Sequence, residues 1–167
     1  MTDVHTSRLL LHAIDVGEAE RIMSGIAGPS DVWAHDFPFE GDRIAVGAFL
    51  RRTTESGEQL PFGHYQIADS SNGLAIGGIG FKSRPTIGCV EIGYGLVPSA
   101  RGHGYAAEAL TALLDLAATH GVLAVIAATT PDNAASQRTL ERVGFEVVRT
   151  DERLRHYEAL LVQRSPE

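Results

Sequence analysis

Cysteine is nearly absent from this chain, in which Cys89 stands alone. A single cysteine excludes an internal disulfide and fits a reducing compartment, so we expect a cytoplasmic protein. It also excludes the paired-cysteine motifs of structural zinc sites, and the seven histidines form no H-x-H or H-E-x-x-H pattern. We therefore expect no metal cofactor.

Positive charge is scarce as well. The 14 Lys and Arg residues, of which only Lys82 is a lysine, are outnumbered by 21 Asp and Glu residues, which gives a formal net charge of −7. Because nucleic-acid binding depends on clustered basic residues, this balance argues against nucleic acid as the main partner. An acidic surface instead favours a cationic substrate through long-range attraction.

Long apolar runs are also missing, and none approaches the roughly 20 residues that a membrane-spanning helix needs. The first residues show no basic segment followed by an apolar one, so we expect neither a secretory signal nor a membrane partner. No internal repeat or linker interrupts the sequence, which predicts a single domain over residues 1–167. The sequence leaves open whether the protein is a monomer or a homodimer.

The hydrophobic pattern predicts an α/β domain with a mixed sheet, of α+β type. Its predicted order is a strand, two helices, a three-stranded meander, a helix, a strand, a helix and a closing hairpin. Asp15 and Glu18 form a capping-box pattern for the first helix, and Asp42 is predicted to cap a second helix over residues 43–54. The apolar run at 122–128 predicts a strand that is buried on both faces.

The chain is organised around residues 91–106, which predict a strand, a glycine-rich turn and the first turn of an amphipathic helix. The N–H groups at a helix start are unpaired and lie at the positive end of the helix dipole, so they favour anions. Gly102 and Gly104 allow a ligand to approach the backbone closely. The stretch therefore predicts a phosphate or pyrophosphate site, with the Glu91 carboxylate on the preceding strand.

Residues 102–107 also fit the G-x-G-x-x-A fingerprint of dinucleotide-binding sites. Such a site needs an acidic residue about 20 positions further on, at the end of the next strand, where this chain has Thr129, Thr130 and Pro131. No G-K-[ST] follows the glycines, so the stretch is not a Walker A loop. A purely structural turn is the remaining alternative.

Two motifs resemble those of the GNAT (GCN5-related N-acetyltransferase) superfamily. Residues 101–106 (Arg-Gly-His-Gly-Tyr-Ala) resemble its R-x-x-G-x-A acyl-CoA signature. Residues 133–136 (Asn-Ala-Ala-Ser) and 140–145 (Leu-Glu-Arg-Val-Gly-Phe) resemble its second motif, N-x-x-S followed by L-E-K-x-G-F. Residues 8–11 and 77–80 are similar to the ribosomal-protein N-terminal acetyltransferase subgroup. The resemblance covers essentially the whole chain.

The resemblance implies the GNAT acyl-CoA N-acyltransferase fold, in which about four helices flank a mostly antiparallel sheet that is splayed at its middle. It implies acetyl-CoA as cosubstrate and direct acetyl transfer to a primary amine, either a protein N-terminus or a small molecule. Many relatives carry a tyrosine seven residues after the motif asparagine, where this chain has Leu140. The alternative is therefore a CoA-binding regulatory or interaction domain without catalysis.

The resemblance also implies roles for individual residues. Glu91 would be the general base, acting through a water, and Ser136 would contact the leaving thiolate. The alternatives are that Glu91 is a solvated or ion-paired strand carboxylate and that Ser136 is an ordinary residue of a helix start. A backbone N–H near Leu96 or Val97 would face the thioester oxygen.

Two sets of residues would bind the ligands. The implied acyl-CoA set is Leu96, Val97, Arg101, Gly102, His103, Gly104, Tyr105, Ala106, Asn133, Ser136 and Arg138. The implied acceptor set is Trp33, His35, Phe37 and His64, of which the first three lie in a loop rich in aromatic residues.

Overall fold

A computed structural model describes residues 3–162, and within this range the chain forms eight strands and four α-helices. The strands are β1 (Val4–His5), β2 (Leu9–Ala13), β3 (His64–Asp69), β4 (Ala75–Phe81), β5 (Cys89–Leu96), β6 (Ala124–Thr129), β7 (Glu146–Thr150) and β8 (Arg155–Leu160). The helices are α1 (Val16–Ser24), α2 (Glu40–Ser56), α3 (Tyr105–Thr119) and α4 (Ala134–Val143), with a 3₁₀ turn at Pro98–Ala100. No helix in the described range is long and apolar enough to cross a membrane.

The strands form one sheet in the order β1-β2-β3-β4-β5-β6-β8-β7. Neighbouring strands are antiparallel except for β5 and β6, which run parallel. This parallel pair is joined only where residues 89–91 face residues 124–126. Beyond Glu91 the two strands diverge, so the sheet opens at its middle. The predicted mixed, mostly antiparallel and splayed sheet is therefore confirmed.

The core lies between this sheet and the helices on its two sides. Helix α2 packs on β3, β4 and β5, whereas α3 packs on β2 and β5. Two residues of β2, Leu9 and Leu11, are fully buried, and so are two of β3, Tyr65 and Ile67. The two members of each pair are two positions apart, as expected for side chains on one face of a strand. Strand β4 is buried along its whole length because it has a neighbour on each side and α2 above it.

The capping signals located one helix start correctly and misplaced another. Asp15 accepts the Glu18 N–H, and the Glu18 carboxylate accepts the Asp15 N–H, both at 2.8 Å, so the predicted capping box of α1 is confirmed. The prediction that Asp42 caps α2 was wrong, because α2 begins at Glu40 with Phe39 as its N-cap. Asp42 is instead the third helical residue, and its carboxylate accepts the Phe39 N–H at 3.0 Å.

The prediction that β6 is buried on both faces was also wrong. Val125, Ala127 and Thr129 are buried, whereas the alternate residues Ala124, Ile126 and Ala128 are only half-buried. The divergence of β5 leaves Ala128 on the wall of a cavity instead of under a neighbouring element. This opening in the sheet is where the candidate site lies.

Candidate active site

The loop between β5 and α3 presents a run of free backbone donors. The amides of residues 102–107 have no hydrogen-bond partner in the described range, since the first bond of α3 joins the Glu108 N–H to the Gly104 carbonyl at 3.1 Å. Gly102 and Gly104 have φ angles of +84° and +78°, and a Cβ at Gly102 would meet no atom within 4 Å. The donors therefore border open space at the positive end of α3, which fits the predicted pyrophosphate site.

Arg8, the residue immediately before β2, holds this loop in place. Its Nη1 donates to the His103 carbonyl at 2.9 Å, and its Nε donates to the Glu108 carboxylate at 2.8 Å. The guanidinium also lies 4.6 Å from the centre of the Tyr105 ring. The loop is thus fixed through a carbonyl, a carboxylate and a ring, and its amides stay free for a ligand.

A cleft of about 680 Å³ runs from this loop to α4. It is lined by most of the predicted acyl-CoA residues: Leu96, Arg101, Gly102, Gly104, Tyr105, Ala106, Asn133, Ser136 and Arg138. His103 lines a neighbouring polar cleft instead, and Val97 is fully buried. Asn133 caps α4, because its Oδ1 accepts the Ser136 N–H at 3.1 Å. We call this space the cofactor cleft.

The backbone of β5 offers hydrogen-bonding groups to the opening in the sheet. The Val97 N–H already donates to the Ile76 carbonyl at 2.9 Å, so the backbone groups of Val97 face β4. The backbone N–H and C=O groups of successive residues in a strand point to opposite sides. The groups of Tyr94 and Leu96 therefore face the gap toward β6. The Leu96 carbonyl accepts Nε of Arg101 at 3.0 Å. Of the two predicted donors to a thioester oxygen, this geometry therefore leaves the Leu96 N–H.

A second cavity, of about 630 Å³, reaches the same opening from the other face of the sheet, and we call it the acceptor cavity. The Phe39 ring lies over Gly95, with its Cζ 2.8 Å from where a Gly95 Cβ would be, whereas the Tyr94 hydroxyl contacts Ser136 of α4. Successive strand residues point to opposite faces, so α2 and α4 lie on opposite sides of the sheet. Both cavities are lined by Phe39, Tyr94, Gly95 and Ser136, and they meet there.

Tyr94 and Ser136 form a hydroxyl pair at this junction, with 2.8 Å between the Tyr94 Oη and the Ser136 Oγ. Burial raises the pKa of Tyr94, and the hydrogen bond to Ser136 partly opposes that effect. Leu140, where many relatives have tyrosine, is fully buried. The phenol near Ser136 thus comes from β5 instead of α4. Sequence reasoning missed Tyr94, although its position between Gly93 and Gly95 was a usable signal of an open strand.

Glu91 lies at the point where β5 and β6 stop pairing, outside the wall of the acceptor cavity. Its carboxylate forms an ion pair of 2.8 Å with Nζ of Lys82, and its side chain is 36% exposed. Lys82 itself lines the acceptor cavity. The ion pair matches the alternative of an ion-paired strand carboxylate, and the role of Glu91 as a base stays a prediction.

The structure separates the residues of the predicted acceptor set, whose role stays a prediction. His64 lines the acceptor cavity, but Trp33, His35 and Phe37 do not. Trp33 and Phe37 pack edge to face with ring centres 5.3 Å apart, and His35 is exposed. The aromatic residues of this loop fill the space beside the sheet, and the loop contributes Phe39 to the cavity instead.

The chain matches the family model described as an acetyltransferase (GNAT) domain over residues 8–146. It belongs to the GNAT acetyltransferase family. A curated relative, the uncharacterized N-acetyltransferase YjdG of Bacillus subtilis (strain 168), is 36% identical over 86 residues. That alignment covers 50% of this chain and 51% of the relative, so the chain spans about half the length of the curated relative it matches.

Solved structures share this GNAT fold at low sequence identity. An acetyltransferase from Agrobacterium tumefaciens str. C58 has a TM-score of 0.67 at 24% identity, over 95% of this chain and 94% of that chain. RimL, a ribosomal L7/L12 alpha-N-protein acetyltransferase in complex with coenzyme A, has a TM-score of 0.67 at 17% identity, over 95% and 98%. The predicted membership of the superfamily is thus confirmed, and ribosomal-protein acetyltransferases are among its structural neighbours.

Asp42, like Tyr94, is a residue of this candidate GNAT site that sequence reasoning missed, because it was predicted only to cap a helix. Asp42 and His64 are 4% and 7% exposed, and both line the acceptor cavity. Burial raises the pKa of Asp42 to about 7, against the opposing effect of the Phe39 N–H. Burial, together with the positive charge of Arg52, lowers the pKa of His64 to about 4. Burial thus favours the uncharged forms of both side chains.

Proposed function

We propose that this GNAT chain is an acetyl-CoA-dependent N-acetyltransferase that transfers the acetyl group directly to a primary amine. The observation that carries the proposal is the meeting of the two cavities at Phe39, Tyr94, Gly95 and Ser136. One cavity leads to the free amides of residues 102–107, and the other leads to two buried ionisable side chains. A thioester held in the first would expose its carbonyl carbon to an amine held in the second.

The residues of the cofactor cleft fit acyl-CoA by their chemistry. The free amides and the positive end of α3 suit a pyrophosphate, and Arg138 and Arg142 line the same cleft. The backbone groups of Tyr94 and Leu96 that face the gap suit the amides of a pantetheine arm. RimL, the neighbour solved with coenzyme A, supports this choice of cosubstrate.

Acetyl-CoA supplies the acetyl group and a thiolate leaving group, and the residues at the junction supply the remaining chemistry. The Leu96 N–H would stabilise the oxyanion that forms when an amine attacks the thioester. The hydroxyl pair of Tyr94 and Ser136 would donate a proton to the sulfur as the carbon–sulfur bond breaks. Strand position supports Glu91 as a base that removes a proton from the amine through a water.

The test is a measurement of thiol release from acetyl-CoA with a panel of small amines and N-terminal peptides. The proposal predicts release that depends on an acceptor, with an acetylated product identified by mass spectrometry. The acceptors that react distinguish a small-molecule enzyme from a protein N-terminal one. Tight CoA binding with no acceptor consumed would contradict the proposal and support the non-catalytic CoA-binding alternative.

A further inference from the structure

The floor of the acceptor cavity is built from glycines that make room for two polar side chains. The His64 ring lies along β4, with Nε2 2.6 Å from where a Gly78 Cβ would be and Nδ1 2.7 Å from where a Gly80 Cβ would be. The Oδ1 atom of Asp42 lies 3.3 Å from the same Gly78 position. Asp42 of α2 and His64 of β3 therefore meet over Gly78, in space that any other residue there would fill.

The two carboxylate oxygens of Asp42 have different environments. Oδ2 accepts the Phe39 N–H at 3.0 Å, whereas Oδ1 has no hydrogen-bond or ion-pair partner within residues 3–162. Among the cations that line the same cavity, Nη2 of Arg52 donates to the Phe81 carbonyl at 2.8 Å and Lys82 pairs with Glu91, and none of those described forms an ion pair with Asp42. A buried carboxylate without a cation is unfavourable. The free Oδ1 is thus a position where a cation from outside would be stabilised.

We propose that Asp42 receives the ammonium group of the acceptor and takes its proton. This inference rests on the proposed function and names the substrate class of the site: aliphatic primary amines, which arrive as ammonium ions, rather than arylamines, which arrive neutral. His64 lies beside the same position as an uncharged neighbour. An uncharged imidazole accepts a hydrogen bond from an ammonium group and does not repel it.

Asp42 would take the first of the two protons that the acceptor nitrogen loses in the reaction. An N–H bond of the ammonium breaks, and its proton moves to Oδ1 of Asp42, which leaves the electron pair on nitrogen. That pair forms the carbon–nitrogen bond, and the carbon–sulfur electrons leave with the sulfur. The nitrogen loses its second proton through a water to Glu91, and the sulfur takes a proton from the Tyr94–Ser136 pair. That pair regains a proton from solvent, and Asp42 and Glu91 later return theirs to solvent. Amide, thiol and one released proton account for every atom.

Other ionisable groups surround Asp42 and enter any account of its pH dependence. They come from β3, the end of β4, β5 and α2: His64, Lys82, Tyr94, Arg51, Arg52 and Glu55. Burial raises the pKa of Asp42 to about 7, and the hydrogen bond from the Phe39 N–H opposes that effect. A base with a pKa near the working pH is well matched to proton removal from an amine.

The test compares Asp42→Asn with the wild type and with Glu18→Gln. The asparagine side chain retains an oxygen for the Phe39 N–H, so α2 keeps its N-terminal hydrogen bond. Glu18 has the same position in α1 and accepts the Asp15 N–H at 2.8 Å, but it lies outside the acceptor cavity. Thermal denaturation checks that each variant folds, and kcat/KM is measured with an aliphatic amine that the wild type acetylates, over a pH series.

We expect Asp42→Asn to lower kcat/KM by about 100-fold. In the wild type kcat/KM should rise with pH through about 7 as Asp42 ionises, and this rise should be absent from the variant. Acetyl-CoA affinity should be unchanged, the loss should be smaller with a neutral arylamine, and Glu18→Gln should match the wild type. Equal activity and an unchanged pH limb in Asp42→Asn would overturn this inference alone. A wild type that acetylates no amine would overturn the proposed function as well.

A second variant tests the same position without changing Asp42. In Gly78→Ala the new methyl group would occupy the space between Asp42 Oδ1 and His64 Nε2. We expect it to reduce kcat/KM for the amine at least tenfold while acetyl-CoA still binds. If Asp42→Asn fails to fold, this variant decides the question, and full activity of folded Gly78→Ala would overturn the inference.

Discussion

At the scale of single residues, the leaving thiolate depends on Tyr94 and Ser136, whose hydroxyl oxygens lie 2.8 Å apart. Tyr94→Phe should lower kcat by about tenfold or more with little change in the KM for acetyl-CoA, because the proton donor is lost and the binding groups remain. The loss should shrink with an acetyl thioester of a more acidic thiol, which leaves without a proton. Steady-state kinetics with both thioesters measure this difference.

Tyr157→Phe is the matched control for Tyr94→Phe. Tyr157 is fully buried, and its hydroxyl has no hydrogen-bond partner in the described range. The charge of Tyr157 contributes to the raised pKa of Tyr94, but Tyr157 forms no hydrogen bond with the pair, so removing its hydroxyl should leave kcat close to that of the wild type. An equal kcat in Tyr94→Phe and Tyr157→Phe would contradict the role given to the pair at the junction.

Glu91 has two predicted roles, a base and an ion-paired strand carboxylate, and its ion pair with Lys82 agrees with the second. If Glu91 is the base, Glu91→Gln should lower turnover by about tenfold or more while acetyl-CoA affinity is retained. Glu146→Gln, on the exposed strand β7, is a control that should behave as the wild type. Unchanged turnover of Glu91→Gln at every pH would contradict the role of Glu91 as a base.

At the scale of elements, His12 joins β2, α1 and residue 3. Its Nδ1 contacts the Asp3 carboxylate at 3.0 Å, and its Nε2 contacts Glu18 at 2.8 Å. Burial alone would lower the pKa of His12, but the two carboxylates outweigh burial and raise it above 6.5. The protonated imidazole therefore stabilises the fold fully below pH 6.5, and this contribution is lost as pH rises through the raised pKa.

This linkage predicts a difference between the wild type and His12→Gln. The free energy of unfolding of the wild type should exceed that of the variant below pH 6.5, and the gap should narrow as pH rises above that value. Urea denaturation at a series of pH values measures both curves. A gap that stays constant or widens with rising pH would contradict the prediction.

Local signals predicted those elements whose hydrogen bonds are local. The capping box of Asp15 and Glu18 lies within one turn, so the start of α1 was predictable. Asp42 gave an equivalent signal, but a carboxylate at the third helical position also bonds to the N-cap, and the actual start was therefore missed. The glycine-bearing turn before α3 was predictable for the same reason as the start of α1, because its residues are adjacent along the chain.

At the scale of the whole molecule, the site exists because β5 and β6 part after Glu91. Most residues of the two sequence motifs line one cleft, and those of each motif lie close together along the chain, so this grouping was predictable. The acceptor side was not predictable in this way. Asp42, His64 and Tyr94 come from α2, β3 and β5, and only the register of the sheet and the packing of α2 bring them around one cavity.

The most direct test of this account is a crystal structure of the protein with CoA bound. We expect the pyrophosphate at the amides of residues 102–107 and the sulfur within hydrogen-bonding distance of the hydroxyl pair of Tyr94 and Ser136. The acceptor cavity should then lead to that sulfur from the side of α2. A sulfur bound away from the junction of the two cavities would contradict the account.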